Sequence, residues 1–251
     1  MRFHRYLSIV FSATALAVAA APAITRASIV ISATRVVYEA ESGEKTVRLT
    51  NKGQTPSLVQ AWLDIGASQA DREALDVPFV LSPPMSRIDP GKSQTLRIMY
   101  SGEPLPQDRE SIFWLNVLDI PARPDVGQDE NFLQLSFRSR IKFFFRPEGL
   151  AGTAAEAPAQ LNWQLGTEAD RPVLRVANPT PYHISFATVE LASAGQSLAV
   201  PDPGMLAPFE TRALRLPRAV QPSPGMRVRY QFINDYGGIT YNEASLQGPA
   251  R

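Results

Sequence analysis

Residues Asn131 to Pro147 read NFLQLSFRSRIKFFFRP. Every second residue belongs to one of two faces. Leu133, Leu135, Phe137, Ser139, Ile141, Phe143 and Phe145 make one; Phe132, Gln134, Ser136, Arg138, Arg140, Lys142, Phe144 and Arg146 make the other. A period of two sustained over this length predicts a single β-strand, because successive side chains of a strand point to opposite faces. At roughly three times the usual strand length, it fixes the fold class before any other stretch is read. A chain that spends so much on one extended ribbon must supply sheets to hold it.

The rest of the chain supplies them. Twenty-two prolines and fifteen glycines are spread along the sequence, which argues against long helices and for short strands with many turns. SIVISATRVVY, KTVRLTN, SLVQAWLD, FVLSPP, SRIDPG, SQTLRIMYS and SIFWLNVLDIP alternate and are separated by ESGE, KGQTP and the DPG turn at 89–91. About seven strands in 120 residues is the spacing of an immunoglobulin-like sandwich. After Pro147, EGLAGTAAEAPAQ carries no periodicity and reads as a linker. A second series follows: QLNWQLG, PVLRVAN, HISFATVELA, SLAV, TRALRLP, MRVRYQFIND and GITYNEASL. The expected architecture is all-β, with one sandwich over 28–147 and a second over 148–251. Ala122 to Asn131 is polar and reads as the loop that feeds the long strand.

The first residues are of another kind. Arg2, His4 and Arg5 precede an apolar run from Tyr6 to about Ala23, and Thr25-Arg26-Ala27 offers a small-x-small cleavage site. Residues 1–27 therefore read as a secretory signal peptide, with the mature chain starting at Ser28. The mature part keeps twenty-two basic and twenty-four acidic side chains, a formal charge of −2. Neither nucleic-acid binding nor stable membrane insertion follows from that balance. The chain has no cysteine, so packing alone must hold an exported fold together.

Catalytic inventory is poor. His183 is the one histidine outside the signal segment, and there is no GxSxG, HExxH or phosphate-cradling glycine loop. The carboxylate pairs Glu39/Glu41 and Asp108/Glu110 flank a turn and a strand start, and solvated surface explains both. No catalytic residue, metal site or cofactor is expected.

On pattern alone, Leu133, Leu135 and Phe137 have two readings. They fill the first sandwich's own core, or they are offered to a partner by strand addition, in which an edge gives backbone hydrogen bonds and alternate side chains enter a groove. At this point the sequence resembles a known family, the periplasmic pilus-assembly chaperones of the chaperone–usher pathway. ISATRVVYEAESGEKTVRLTN, SLVQAWLD, PPMSRIDPG, LPQDRESIFWLNVLDIP, RIKFFFRP, NPTPY and YQFINDYGG carry the resemblance, in the family's order. It implies two immunoglobulin-like domains at an angle with a cleft between them. It implies a periplasmic chaperone that binds, folds and caps pilin subunits by lending them a β-strand, and delivers them to an outer-membrane usher. Arg35 and Lys142 match the cleft cations that hold the subunit's terminal carboxylate. Leu133, Leu135 and Phe137 match the donor positions. Glu110, Arg146 and Asp235 match a charged trio that bridges the domains. The short loop before the long strand fits the short-loop branch of the family, and the disulfide some relatives carry in the second domain has no counterpart here. Strict alternation puts Lys142 on the opposite parity from the donor positions, which a bulge or a twist would reconcile. A two-domain surface adhesin or structural protein is the alternative, and an unsatisfied apolar edge leaves room for a self-capped dimer.

Overall fold

The computed structural model describes residues 28–66, 77–123, 133–193, 196–220 and 223–247. The expected signal peptide lies outside the described residues, as do Asn131, Phe132 and most of the loop before them.

The described chain is nearly all β. Its first half holds β1 (Ile29–Ile31), β2 (Arg35–Glu39), β3 (Lys45–Asn51), β4 (Ser57–Asp64), β5 (Phe79–Ser82), β6 (Met85–Ile88), β7 (Ser93–Tyr100), β8 (Ser111–Pro121) and β9 (Phe137–Arg146). These form two sheets, β1-β3-β7-β5 and β2-β9-β8-β4-β6. Between them lies a core in which Tyr38, Phe79, Phe113, Phe143 and Phe145 are all buried. Phe79 sits at the centre of this cluster, edge-on to Phe113 at 5.0 Å and to Phe143 at 4.9 Å between ring centroids. Edge-to-face geometry suits the ring quadrupoles and adds to what burial contributes.

The opening stretch, expected as one strand, is two. β1 pairs antiparallel with β3, and Ser32 N still donates to Arg48 O in that sheet. The chain then crosses at Ala33 and Thr34 and enters the other sheet as β2, parallel to β9. Alternation alone could not reveal the crossing, because both halves carry apolar residues. Four consecutive residues of β2, Arg35 to Tyr38, are buried. Val36 and Tyr38 face the core, while Arg35 and Val37 face the second half of the molecule.

β9 also differs from expectation. It begins at Phe137 instead of Asn131, and Leu133 to Ser136 lie outside any strand. The ladder with β8 runs without a break from Ser111↔Phe145 to Asp119↔Phe137. β8 then ends at Pro121, which has no N–H to extend it. The Gln134 side chain donates to the Pro121 carbonyl at 2.7 Å. Leu133, Leu135 and Phe137 are 83, 54 and 57 % exposed, so they do not fill the first sandwich's own core. No bulge interrupts β9, and Lys142 therefore stays on the face opposite Phe143.

The second half holds β10 (Asn162–Glu168), β11 (Arg171–Ala177), β12 (Ile184–Ser193), β13 (Gln196–Ala199), β14 (Met205–Leu206), β15 (Thr211–Arg215), β16 (Arg227–Ile233) and β17 (Ile239–Ser245). One sheet is β10-β11-β15; the other is β13-β12-β16-β17, with β14 on β12. Trp163 fills the centre of this core, 5.2 Å from the Tyr230 ring, whose hydroxyl donates to Pro158 O. β14 is too short for a sequence pattern to show.

Exposure makes a prediction about the free protein. Leu135→Glu should change the unfolding free energy by less than about 0.5 kcal/mol. Phe143→Ala, by contrast, should cost about 3–5 kcal/mol through lost burial and the cavity left behind. Urea denaturation of both variants checks this; a large loss for Leu135→Glu would return that side chain to the core.

Candidate functional site

The edge of β9 is shared unequally. β8 covers one side from Phe137 to Phe145. On the other side β2 covers only Lys142 to Arg146, beginning with Arg35 opposite Lys142. From Phe137 to Ile141 that second edge has no strand partner among the described residues. The two cations named from the sequence thus lie side by side where the covered edge gives way to the free one.

Both reach across to the second sandwich. Arg35 Nη1 donates to Ile233 O at 2.8 Å, and Lys142 Nζ donates to Ser185 Oγ at 2.8 Å. Neither cation is used up. Arg35 is 8 % exposed, its guanidinium lies 5.7 Å from the Phe144 ring centroid, and its Nε has no hydrogen-bond partner. An ammonium has three donors, and one is used in Lys142. Burial is the main force on Lys142, and the charge of Arg35 adds to it; together they push the ammonium down to about 8 from an ordinary 10.5. Burial also lowers Arg35, against the pull of Asp235 and Glu110. Two desolvated cations with spare donors form a strong seat for a carboxylate, whose oxygens can accept from both.

Glu110, Arg146 and Asp235 come together at the contact between the sandwiches. Arg146 Nε and Nη2 donate to Glu110 Oε1 at 2.9 and 2.8 Å, and Nη1 donates to Asp235 Oδ2 at 2.9 Å. Burial works against the charge on Arg146, but its bonds to Asp235 and Glu110 outweigh this and hold it above its ordinary value. The remaining Glu110 oxygen accepts from His183 N at 2.8 Å and lies 3.2 Å from His183 Nδ1. The trio is therefore a larger network than the sequence indicated. His183 belongs to it, and so does Tyr182, whose ring lies 5.3 Å from the Arg146 guanidinium. A cavity of about 340 Å³ adjoins the network, lined among others by Arg35, Phe144, His183, Ile233 and Tyr236.

The turn after β16 seals this contact. Asn234 Oδ1 accepts from Tyr236 N and Gly238 N at 3.1 and 2.9 Å. Gly237 has φ +84°, and a Cβ there would fall 2.1 Å from Thr34 Oγ1, next to Arg35. Only glycine meets both demands. DYGG is a turn signal in the sequence, but its seat against Thr34 is visible only in three dimensions.

On the same face of β9, Arg140 leans away from the free edge. Its Nη2 donates to Asp64 Oδ1 at 2.8 Å, and its guanidinium lies over Trp114 at 4.5 Å. The candidate carboxylate seat is therefore Arg35 and Lys142 alone. Among the described residues no group of His, Asp or Glu is placed to hold a metal ion, and no helix is long and apolar enough to cross a membrane.

Comparison with known proteins identifies the family. Residues 28–151 match the family model described as pili and flagellar-assembly chaperone, PapD N-terminal domain. Residues 156–244 match pili assembly chaperone PapD, C-terminal domain. The chaperone protein FimB/FhaD of Bordetella pertussis is 43 % identical over 249 residues, 98 % of each chain. The probable fimbrial chaperone YadV of Escherichia coli K12 is 43 % identical over 223 residues, covering 88 % of this chain and 90 % of that one. The crystal structure of YadV superposes with a TM-score of 0.74 at 42 % identity, over 87 % of this chain and 99 % of that one. A chain from the Salmonella enterica SafA pilin–SafB chaperone complex gives 0.70 at 28 % identity, over 89 % and 99 %.

The lowered Lys142 value has a definite sign. Below about pH 8 the lysine is charged in folded and unfolded chains alike, and folding bears the full cost of burying the charge. Between about 8 and 10.5 the unfolded chain holds a proton that the folded one has released, so this group's contribution to stability rises with pH. The stability difference between the wild type and Lys142→Met should therefore shift in favour of the wild type across that window. Urea titrations at a series of pH values measure it; a flat difference would mean that Lys142 is not desolvated.

Proposed function

From the premise that the chain belongs to the pilus-assembly chaperones of the chaperone–usher pathway, we propose how its cleft captures a pilin subunit. The protein binds pilin or fimbrial subunits, folds and caps them by donating a β-strand, and passes them to an outer-membrane usher. Arg35 and Lys142 hold the terminal carboxylate of the subunit, and Leu133, Leu135 and Phe137 enter the groove left by its missing strand.

One observation carries this reading: among the described residues the edge of β9 is open from Phe137 to Ile141 and closed by β2 from Lys142 onward. A guest strand that fills the open part must stop where β2 starts. Its last residue then lies beside Arg35 and Lys142, the two desolvated cations with spare donors. The direction follows as well. β9 runs towards Lys142, so a guest that ends at Lys142 runs parallel to it, in line with β2. Burial of the three exposed apolar side chains by the guest would contribute about 1.5–3 kcal/mol each. Charge-assisted hydrogen bonds to the carboxylate would add about 1.5–3 kcal/mol apiece.

Glu110, Arg146 and Asp235 set the orientation of the two sandwiches and do not touch the guest. Their support is the distance network they form across the contact. The chain is made with a signal peptide over residues 1–27, works in the periplasm as two domains over 28–147 and 148–251, and acts by binding, without a catalytic group.

Coexpression with a pilin whose sequence ends in a free carboxylate tests the reading. Arg35→Ala and Lys142→Ala should each abolish copurification of the pilin while the chaperone itself stays folded. Leu135→Glu should weaken capture without unfolding the chain. A stable chaperone–pilin complex in either cation variant would sink the anchor.

A further inference from the structure

Both cations of the proposed anchor belong to the first sandwich, and both are held by acceptors of the second. For Arg35 the acceptor is a backbone carbonyl, Ile233 O. For Lys142 it is a side chain, Ser185 Oγ, at 2.8 Å. Ser185 lies on β12 between Ile184 and Phe186, two members of the second core. Alternation turns its side chain away from that core and towards the first sandwich. The register with β16 shifts between Phe186 and Thr188, just beyond it. Bulges of this kind re-aim neighbouring side chains.

Ser185 is 2 % exposed, and Lys142 is the one hydrogen-bond partner of its hydroxyl among the described residues. A buried hydroxyl is costly unless it is bonded, and a strand position that needed only a small filler would be served by alanine. The serine therefore exists for the lysine. A lysine side chain loses much rotamer freedom when it is fixed. If that loss fell at the moment of capture, the guest's binding would have to supply it. Ser185 fixes the ammonium beforehand, in the cleft beside Arg35, so the guest meets a preformed site.

We infer that Ser185 is a positioning residue of the carboxylate anchor. It aims the Lys142 ammonium at the end of the open β9 edge, and through it the second sandwich takes part in capture without touching the groove of the guest. This rests on the reading of Arg35 and Lys142 as the anchor. It makes the contact between the sandwiches part of the binding site: what holds β12 in place against β9 also holds the anchor ready.

The test uses the mature chaperone and a designed fluorescent peptide of alternating valine and threonine, with either a free C-terminal carboxylate or a C-terminal amide. Fluorescence anisotropy gives the ratio of the two affinities. The wild type should prefer the acid, and Lys142→Ala should lose the preference. Ser185→Ala should cut it by about tenfold, the scale of one hydrogen bond to a charged group, with the thermal midpoint retained. Ser185→Thr, which keeps the hydroxyl, should restore it. Ser185→Asp gives a second reading, because a carboxylate built into the seat should hold Lys142 and bring the ratio near unity. If Ser185→Ala or Ser185→Asp keeps the full preference while Lys142→Ala loses it, the role of Ser185 is overturned and the anchor stands. If the wild type binds acid and amide alike, the anchor falls, and the role of Ser185 falls with it.

Discussion

Everything in this molecule depends on a strand that is only half paired. β9 gives one edge to β8 from Phe137 to Phe145 and the other to β2 for five residues, Lys142 to Arg146. A fully covered strand would leave nothing to lend. A fully bare one would lose the parallel contact that buries Phe143 and Phe145 against Val36 and Tyr38. The boundary falls at Arg35 and Lys142, so the chemistry of an anchor and the geometry of an open edge are fixed by the same register. The chain achieves this by breaking its first strand. β1 stays in one sheet, and Ala33 and Thr34 carry the backbone across so that β2 can begin where the free edge must stop.

The second sandwich then has a physical task, although the open edge is not its own. It covers the outer face of β2 and of the end of β9, which is why Val37 and Phe144 are buried on the side away from the first core. That cover desolvates Arg35 and Lys142 and gives each an acceptor. The Arg146 network keeps the cover in place. Replacing such a network with apolar residues would not necessarily weaken the fold, because desolvation of the charges offsets much of their attraction. What apolar residues would lack is direction. Arg146 makes three charge-assisted bonds to two carboxylates from different sandwiches, and the remaining oxygen of Glu110 takes the backbone N–H of His183. The angle between the sandwiches is thereby defined by bond geometry as well as by contact area.

The sequence made much of this legible. Both strand series appear as alternating runs, and the parity of Lys142 against Phe137 holds along β9 without a bulge. The start of β9 was not legible, because alternation continues through Leu133 and Leu135 although β8 has no N–H left to pair with them. The break in the first strand was hidden for a related reason: pattern shows which face a residue takes, and not which sheet it belongs to. Ser185 and the Ile233 carbonyl were out of reach altogether. A serine in a strand carries no signal of its own, and a backbone carbonyl carries none in any sequence. Their roles come from the approach of two sandwiches, which residue identity does not encode locally. His183 was read as structural, and the structure places it in the network with Glu110.

An exposed apolar edge is normally an aggregation hazard, and alternation along β9 limits that hazard. Within β9 the open stretch alternates Phe137, Ser139 and Ile141 with Arg138 and Arg140, so one face is mainly apolar and the other cationic; in the sequence before it, Gln134 separates Leu133 from Leu135. Among the described residues the uncovered part of the strand is five residues long. A wrong partner could pair with it in either of two parities, and a slip of one residue would turn its apolar side chains to the cationic face. In the proposed anchor, a chain that ends in a carboxylate beside Arg35 and Lys142 has no such freedom, because its last residue is pinned and every residue before it inherits a face. On that proposal, charge at one end of the edge decides what the apolar side chains along it can accept, and the affinity available from the groove reaches only guests that bring the right ending.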